Sequence, residues 1–149
     1  DLGADVVLDY HQDLATQLTA QHISTVDSAI LLQSTDAYLP IVAPLMRPLS
    51  TIVAVVTNAE PLPMALLKAK SLNFSWEFMF TKADYQLPEM ATQGMILAKM
   101  AQLADDGILK PTTKKVIDGI SAATLKAAHA SVETGQMLGK LVLTAPFNA

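Results

Sequence analysis

At 149 residues and 15.9 kDa the chain has the size of one ordinary domain. Hydrophobic residues make up 51% and charged residues 16%, which excludes a disordered chain, and a net charge of −4 offers no basic surface to nucleic acid. Cysteine is absent and the three histidines, His11, His22 and His129, are scattered, which excludes disulfides, thiolate metal sites and an evident zinc site.

No apolar run approaches the ~20 residues of a membrane-spanning helix. Asp1–Asp5 has neither the basic nor the long apolar stretch of a signal peptide, so the expectation is a cytoplasmic protein. With so few charges, the chain is expected to bury both faces of a sheet, or to hide surface against a partner.

In chain order, Val6–Leu8 is a short β-branched run predicted as a strand, ended by Asp9-Tyr10. Asp13–Gln21 follows as an amphipathic helix with Leu14 and Leu18 four apart. Val26–Leu32 reads as a buried strand. Asp36 is the expected N-cap of a helix to about Leu45, with Pro40 tolerable near its start and Pro44 ending or kinking it. Arg47–Ser50 reads as a connector and Thr51–Val56, β-branched and uncharged, as a strand.

Asn58–Pro63 is loop and Met64–Lys70 a helical turn or two. Leu72–Phe80 alternates, with Leu72, Phe74, Trp76, Phe78 and Phe80 on one face of a predicted strand. That stripe is core under helices, or an edge that meets another subunit, and both readings can hold together. Tyr85–Asp105 is the longest helical candidate, stopped by Asp105-Asp106-Gly107. Ser121 caps a last helix with a stripe of Leu125, Ala128 and Val132 and with Gly135 as its C-cap. Lys140–Thr144 closes as a strand. Alternating strands and helices predict an α/β fold with a mainly parallel sheet, without repeat or linker.

Catalytic motifs are absent: no G-x-G-x-x-G, P-loop, H-E-x-x-H or G-x-S-x-G. His129 and Glu133 share a helix face, but without a nucleophile or further ligand they read as ordinary surface. Lys110, Lys114 and Lys115 read as solvated surface, with a phosphate contact as the alternative.

Taken together, Leu2–Tyr10, Leu45-x-x-Pro48, Lys68-x-Lys70-Ser71-Leu72, Ser75–Phe80, Ala128-His129-x-x-x-Glu133-x-Gly135 and Gly139–Leu143 resemble the C-terminal part of a medium-chain dehydrogenase/reductase. The branch is that of the zinc-type alcohol dehydrogenase-like and NADPH:quinone oxidoreductase-like proteins, and the resemblance spans nearly the whole chain. It implies a partial Rossmann-like, doubly wound, mostly parallel sheet without its first two strands and phosphate-binding turn, so that the chain is best read as a fragment. Val6–Leu8 then has no native neighbour, whereas the strands at Val26–Leu32, Thr51–Val56 and Leu72–Phe80 can still pair.

The resemblance also implies a parent that moves hydride between a nicotinamide dinucleotide, NADPH by expectation, and a quinone, enone or related small carbonyl. The family's zinc ligands would lie in the absent half, and no metal is expected in this chain. Ligands of open α/β sheets sit beyond the carboxyl ends of the strands. That makes Gln33, Ser34, Thr57, Asn58, Phe78, Met79 and Phe80 the cofactor-binding candidates, through backbone groups and ring packing, with an ordinary loop or core role as the alternative for each. No catalytic residue is assigned, and the isolated chain is expected to be inactive. The alternative function is an oligomerisation module without ligand; a homodimer or larger assembly through Leu72–Phe80 is expected on either reading.

Overall fold

β-Branched and apolar runs become strands here wherever another strand lies alongside to complete their hydrogen bonds. The computed structural model describes residues 2–147. It divides into two compact units, Asp1–Met90 and Ala91–Ala149.

In the first unit, α1 (Leu14–Ala20), β1 (Val26–Leu31), α2 (Thr35–Val42), β2 (Met46–Ala54), α3 (Ala65–Lys68), β3 (Asn73–Trp76) and α4 (Thr81–Asp84) follow in order. The strands form a parallel sheet in the order β1-β2-β3, as expected. Leu31, Ile52 and Ala54 of the sheet are buried with Leu39 of α2, Ala43 and Met46 after it, and Leu67 of α3. The leucine, isoleucine and methionine side chains among them each contribute roughly 1.5–3 kcal/mol when fully buried. Lys70 braces this packing by donating from Nζ to the carbonyls of Pro44 and Met46, at 2.6 and 2.7 Å.

Several expectations are corrected. Val6–Leu8 is not a strand: nothing pairs with it among the described residues, and Val7 is exposed. A lone extended segment leaves its backbone groups to water. The cap of α2 is Ser34, not Asp36. Arg47–Ser50 belongs to β2 rather than to a connector, but the pairing jumps from Val26↔Met46 to Ser28↔Thr51, so these residues bulge out of the ladder.

The strand expected over Leu72–Phe80 is paired only across Asn73–Trp76, because β2 ends at Ala54, opposite Trp76. Its stripe is divided: Leu72 and Phe74 pack against the core, whereas Trp76, Phe78 and Phe80 are exposed. The long helix from Tyr85 is also broken. Tyr85 ends α4, Gln86 is left-handed, Pro88–Ala91 is a 3₁₀ turn, and α5 starts at Thr92. Pro88 disfavours helix in the residue before it and lacks an N–H.

The second unit holds α5 (Thr92–Asp105), β4 (Thr113–Ile120), α6 (Ala122–Glu133) and β5 (Lys140–Phe147). Thr113–Ile120, for which the sequence pattern predicts no strand, pairs in parallel with β5. Ser121 caps α6 as expected. Its hydroxyl accepts from the Thr124 N–H at 3.2 Å, while the Thr124 hydroxyl accepts from the Ser121 N–H at 2.8 Å. The C-cap is Thr134 rather than Gly135, which follows it in the left-handed conformation. Of the stripe expected on α6, Ala128 alone is buried, and Leu125 and Val132 are exposed.

Candidate functional site

Because β1, β2 and β3 are parallel, their carboxyl ends share one edge, and the pairing sets them level: Leu31 lies opposite Ala54, and Ala54 opposite Trp76. The ladder carries one bond further at each junction, from Val55 N–H to the Leu31 carbonyl at 3.1 Å and from Glu77 N–H to the Ala54 carbonyl at 2.9 Å. The chain leaves the sheet immediately beyond. Gln33 and Ser34 follow β1, Thr57 and Asn58 follow β2, and Phe78, Met79 and Phe80 follow β3, so all seven candidate residues fall on this one edge.

Asn58 is half-buried and the other six are exposed. Phe78 and Phe80 meet edge to face, with ring centroids 5.5 Å apart, and Phe74 and Trp76 do so at 5.2 Å. Exposed aromatic surface gathered at the mouth of a parallel sheet suits a flat ring. The stretches 32–36, 55–60 and 77–80 carry three carboxylates, Asp36, Glu60 and Glu77, and no lysine or arginine. That charge disfavours phosphate and favours a neutral or cationic ring.

The loops after β1 and β2 are tied together by groups that the sequence reading missed. Thr35, fully buried, donates from Oγ1 to the Val56 carbonyl at 2.5 Å. The Asp36 carboxylate accepts from the Ala59 N–H at 2.9 Å and from the Glu60 N–H at 3.1 Å. Asn58 Nδ2 donates to the Glu60 carbonyl at 2.9 Å. In sequence Asp36 reads only as a helix cap; its partners lie 23 and 24 residues away, and no local pattern announces them. Ser34, at φ 43°, is left-handed without being glycine or asparagine. Such a residue carries roughly 1–3 kcal/mol of strain and persists where its surroundings hold it.

In the second unit, Leu125, Ala128 and Val132 of α6 and Leu141 and Leu143 of β5 line a mainly apolar pocket of about 220 Å³, together with His129 and Glu133. Among the described residues, no three of His, Cys, Asp and Glu converge as a metal site requires. The described residues therefore do not fit a zinc ion. No helix among them is long and apolar enough to cross a membrane.

A family model described as zinc-binding dehydrogenase matches residues 2–143. A zinc-type alcohol dehydrogenase-like protein of Staphylococcus epidermidis is 34% identical over 143 residues, 96% of this chain and 43% of the relative. A protein of the same description from Staphylococcus aureus strain MSSA476 is 34% identical over 142 residues. The chain thus spans less than half the length of these curated relatives. Among solved structures, one from Rhizobium etli CFN 42, described as a zinc-dependent alcohol dehydrogenase, superposes with a TM-score of 0.85 at 29% identity, over 98% of this chain and 42% of the other. An NAD-dependent alcohol dehydrogenase shares the fold, with a TM-score of 0.69 at 19% identity over 97% of this chain and 39% of the other. The α/β architecture with parallel sheets is therefore that of the corresponding part of these enzymes.

Proposed function

The chain belongs to the zinc-binding dehydrogenase family, and from that premise we propose that it forms the nicotinamide-facing side of a dinucleotide site in an NAD(P)H-dependent oxidoreductase. The substrate class is a quinone, an enone or an alcohol–carbonyl pair. The observation that carries this reading is the level edge where β1, β2 and β3 end, with Gln33-Ser34, Thr57-Asn58 and Phe78–Phe80 just beyond it. Parallel α/β sheets bind ligands at such carboxyl edges.

A bound nicotinamide dinucleotide supplies or takes up a hydride. The backbone groups of Gln33-Ser34 and Thr57-Asn58 would hold the nicotinamide half, and the Phe78–Phe80 pair would pack against it and exclude water. The acidic edge accommodates the nicotinamide half and leaves the phosphates to be held elsewhere. Holding a cofactor equally well in ground and transition states does not accelerate hydride transfer, so the 149 residues alone bind without turning substrate over.

The test uses Trp76, the sole tryptophan, which ends β3 at the edge. Titrating NADH and NADPH into the 149-residue chain is expected to quench Trp76 emission saturably and to sensitise nicotinamide emission, with no reduction of added quinone or enone. A featureless titration with both cofactors overturns the binding reading; cofactor-dependent turnover overturns the inactivity.

A second reading is favoured by β3 itself, which pairs only with β2 in this sheet and ends in exposed Trp76 and Phe78. We propose that a second copy pairs along that outer edge. Sedimentation is expected to show a dimer that Trp76→Ser with Phe78→Ser weakens. A monomer at tens of micromolar (a concentration at which a specific interface of ordinary size is formed) rules this out.

A further inference from the structure

We infer that Thr35 and Asp36 are positioning residues of the carboxyl edge, tying the loop after β2 to the start of α2 so that Gln33-Ser34 and Thr57-Asn58 present one continuous rim. This inference rests on the nicotinamide reading above and names what holds that site in shape. Three contacts carry it. Thr35 Oγ1 donates to the Val56 carbonyl, immediately before Thr57. The Asp36 carboxylate accepts from two consecutive N–H groups, those of Ala59 and Glu60, immediately after Asn58. The two binding candidates of the second loop are thereby bracketed on both sides by side chains of α2.

The other end of the same bracket is Ser34. Its left-handed backbone turns the chain out of β1 and into α2, and its carbonyl accepts from the N–H groups of Ala37 and Tyr38, both at 3.0 Å. Ser34 is one of five left-handed non-glycine residues among the described residues, and its conformation serves here to aim α2 at the second loop. Helix capping alone does not require this arrangement. Asp36 lies in the first turn, where a carboxylate is favoured whatever it touches, yet both its oxygens are committed to the neighbouring loop. A ligand that reaches both loops gains when their spacing is set before it arrives, since ordering them on binding subtracts from affinity.

The experiment compares the wild-type chain with Asp36→Asn, Asp36→Ala and Thr35→Val. NADH binding is followed by nicotinamide emission sensitised from Trp76, and amide exchange is followed at Ala59 and Glu60. Asn keeps one acceptor oxygen in the same place, so the expected order of affinity is wild type, then Asp36→Asn, then Asp36→Ala. Asp36→Ala is expected to lose roughly tenfold or more, as when charge-assisted hydrogen bonds are removed. Exchange at both amides is expected to accelerate in the same order, and nicotinamide emission at saturation to fall because the ring is held less rigidly. Should Asp36→Ala fold poorly, Asp36→Asn and Thr35→Val decide alone, each with weaker binding and lower saturating emission than wild type. Variants that exchange faster but bind NADH within twofold of wild type, with unchanged saturating emission, overturn the positioning role and leave the nicotinamide reading standing. Absence of binding by the wild type removes that reading and this inference with it.

Discussion

Ile52 and Leu39 in the first unit are fully shielded from water, whereas Ile96 and Leu97 of α5 and Val116 of β4 in the second keep more than half of their surface exposed. The two units have similar materials, parallel strands joined by helices, and differ in what those materials bury. In the first, α2 and α3 close over one face of a three-stranded sheet and supply side chains to a single cluster. In the second, two strands and α6 shield Ala128 as the one buried hydrophobic among the described residues. A two-stranded ladder has little face to cover, so this unit relies on backbone bonds, tight turns and caps. Removing a side chain should therefore damage the first unit most, and altering backbone conformation the second.

The largest effect expected is that of Ile52→Ala, at the centre of the first core. It leaves a cavity and lowers stability by about 2–5 kcal/mol, read from the urea midpoint. Val116→Ala, on an exposed face of β4, is expected to stay within about 0.5 kcal/mol. Similar losses for the two variants would erase the contrast in burial.

Gly139→Ala probes the second unit in its own terms. At φ 80°, an added Cβ strikes the Thr112 carbonyl oxygen and the Lys114 side chain, next to the bond from Lys140 N–H to that same carbonyl. A loss of about 1–3 kcal/mol is expected, with amide exchange accelerated along β4 and β5 and unaltered in β1–β3. Uniform acceleration in all five strands is the result that contradicts it.

Cap removal should cost less: Ser121→Ala in α6 is expected to lose about 1 kcal/mol, and Asp13→Ala in α1 to destabilise its helix in the same sense, each seen as faster exchange in the first turn of the respective helix. The first unit's caps also respond to acid. The carboxyl pKa of Asp9 is held down by the backbone N–H of His11, with Gln12 assisting, and that of Asp13 by hydrogen bonds from Thr16. A depressed folded pKa means that the stabilisation is complete above the unfolded value, about 3.9, and is lost as pH falls through the lower folded value. Fraying of α1 in acid, with both carboxyls titrating below ordinary aspartate by NMR, is the expected outcome. The smallest effect should come from Arg47→Ala. Its ion pair with Asp27 is exposed on both sides, and such pairs contribute about 0–1 kcal/mol.

Local chemistry was enough to read Ser121 as a cap, Val26–Leu32 and Thr51–Val56 as strands that overlap β1 and β2, and the Asp13 start of α1. In each case the signal and its partner lie within a turn or one run of residues. Apolar pattern and the order of elements likewise led to an α/β chain with parallel strands; the choice of Gln33, Ser34, Thr57, Asn58 and Phe78–Phe80 as candidates came instead from the family resemblance and the rule that such sheets bind ligands at their carboxyl ends. Tertiary structure decided what depends on distant partners. Val6–Leu8 has strand-forming residues but no neighbour to complete its hydrogen bonds, and Leu72–Phe80 alternates over nine residues but is paired only as far as β2 reaches. Lys114 and Lys115 are exposed, as their charge suggests, but that their backbone is strand depends on β5 lying alongside. Asp36 looks like a cap until the loop after β2 offers it two N–H groups. A sequence sets what each residue can bond; only the folded chain sets which of those bonds has a partner within reach.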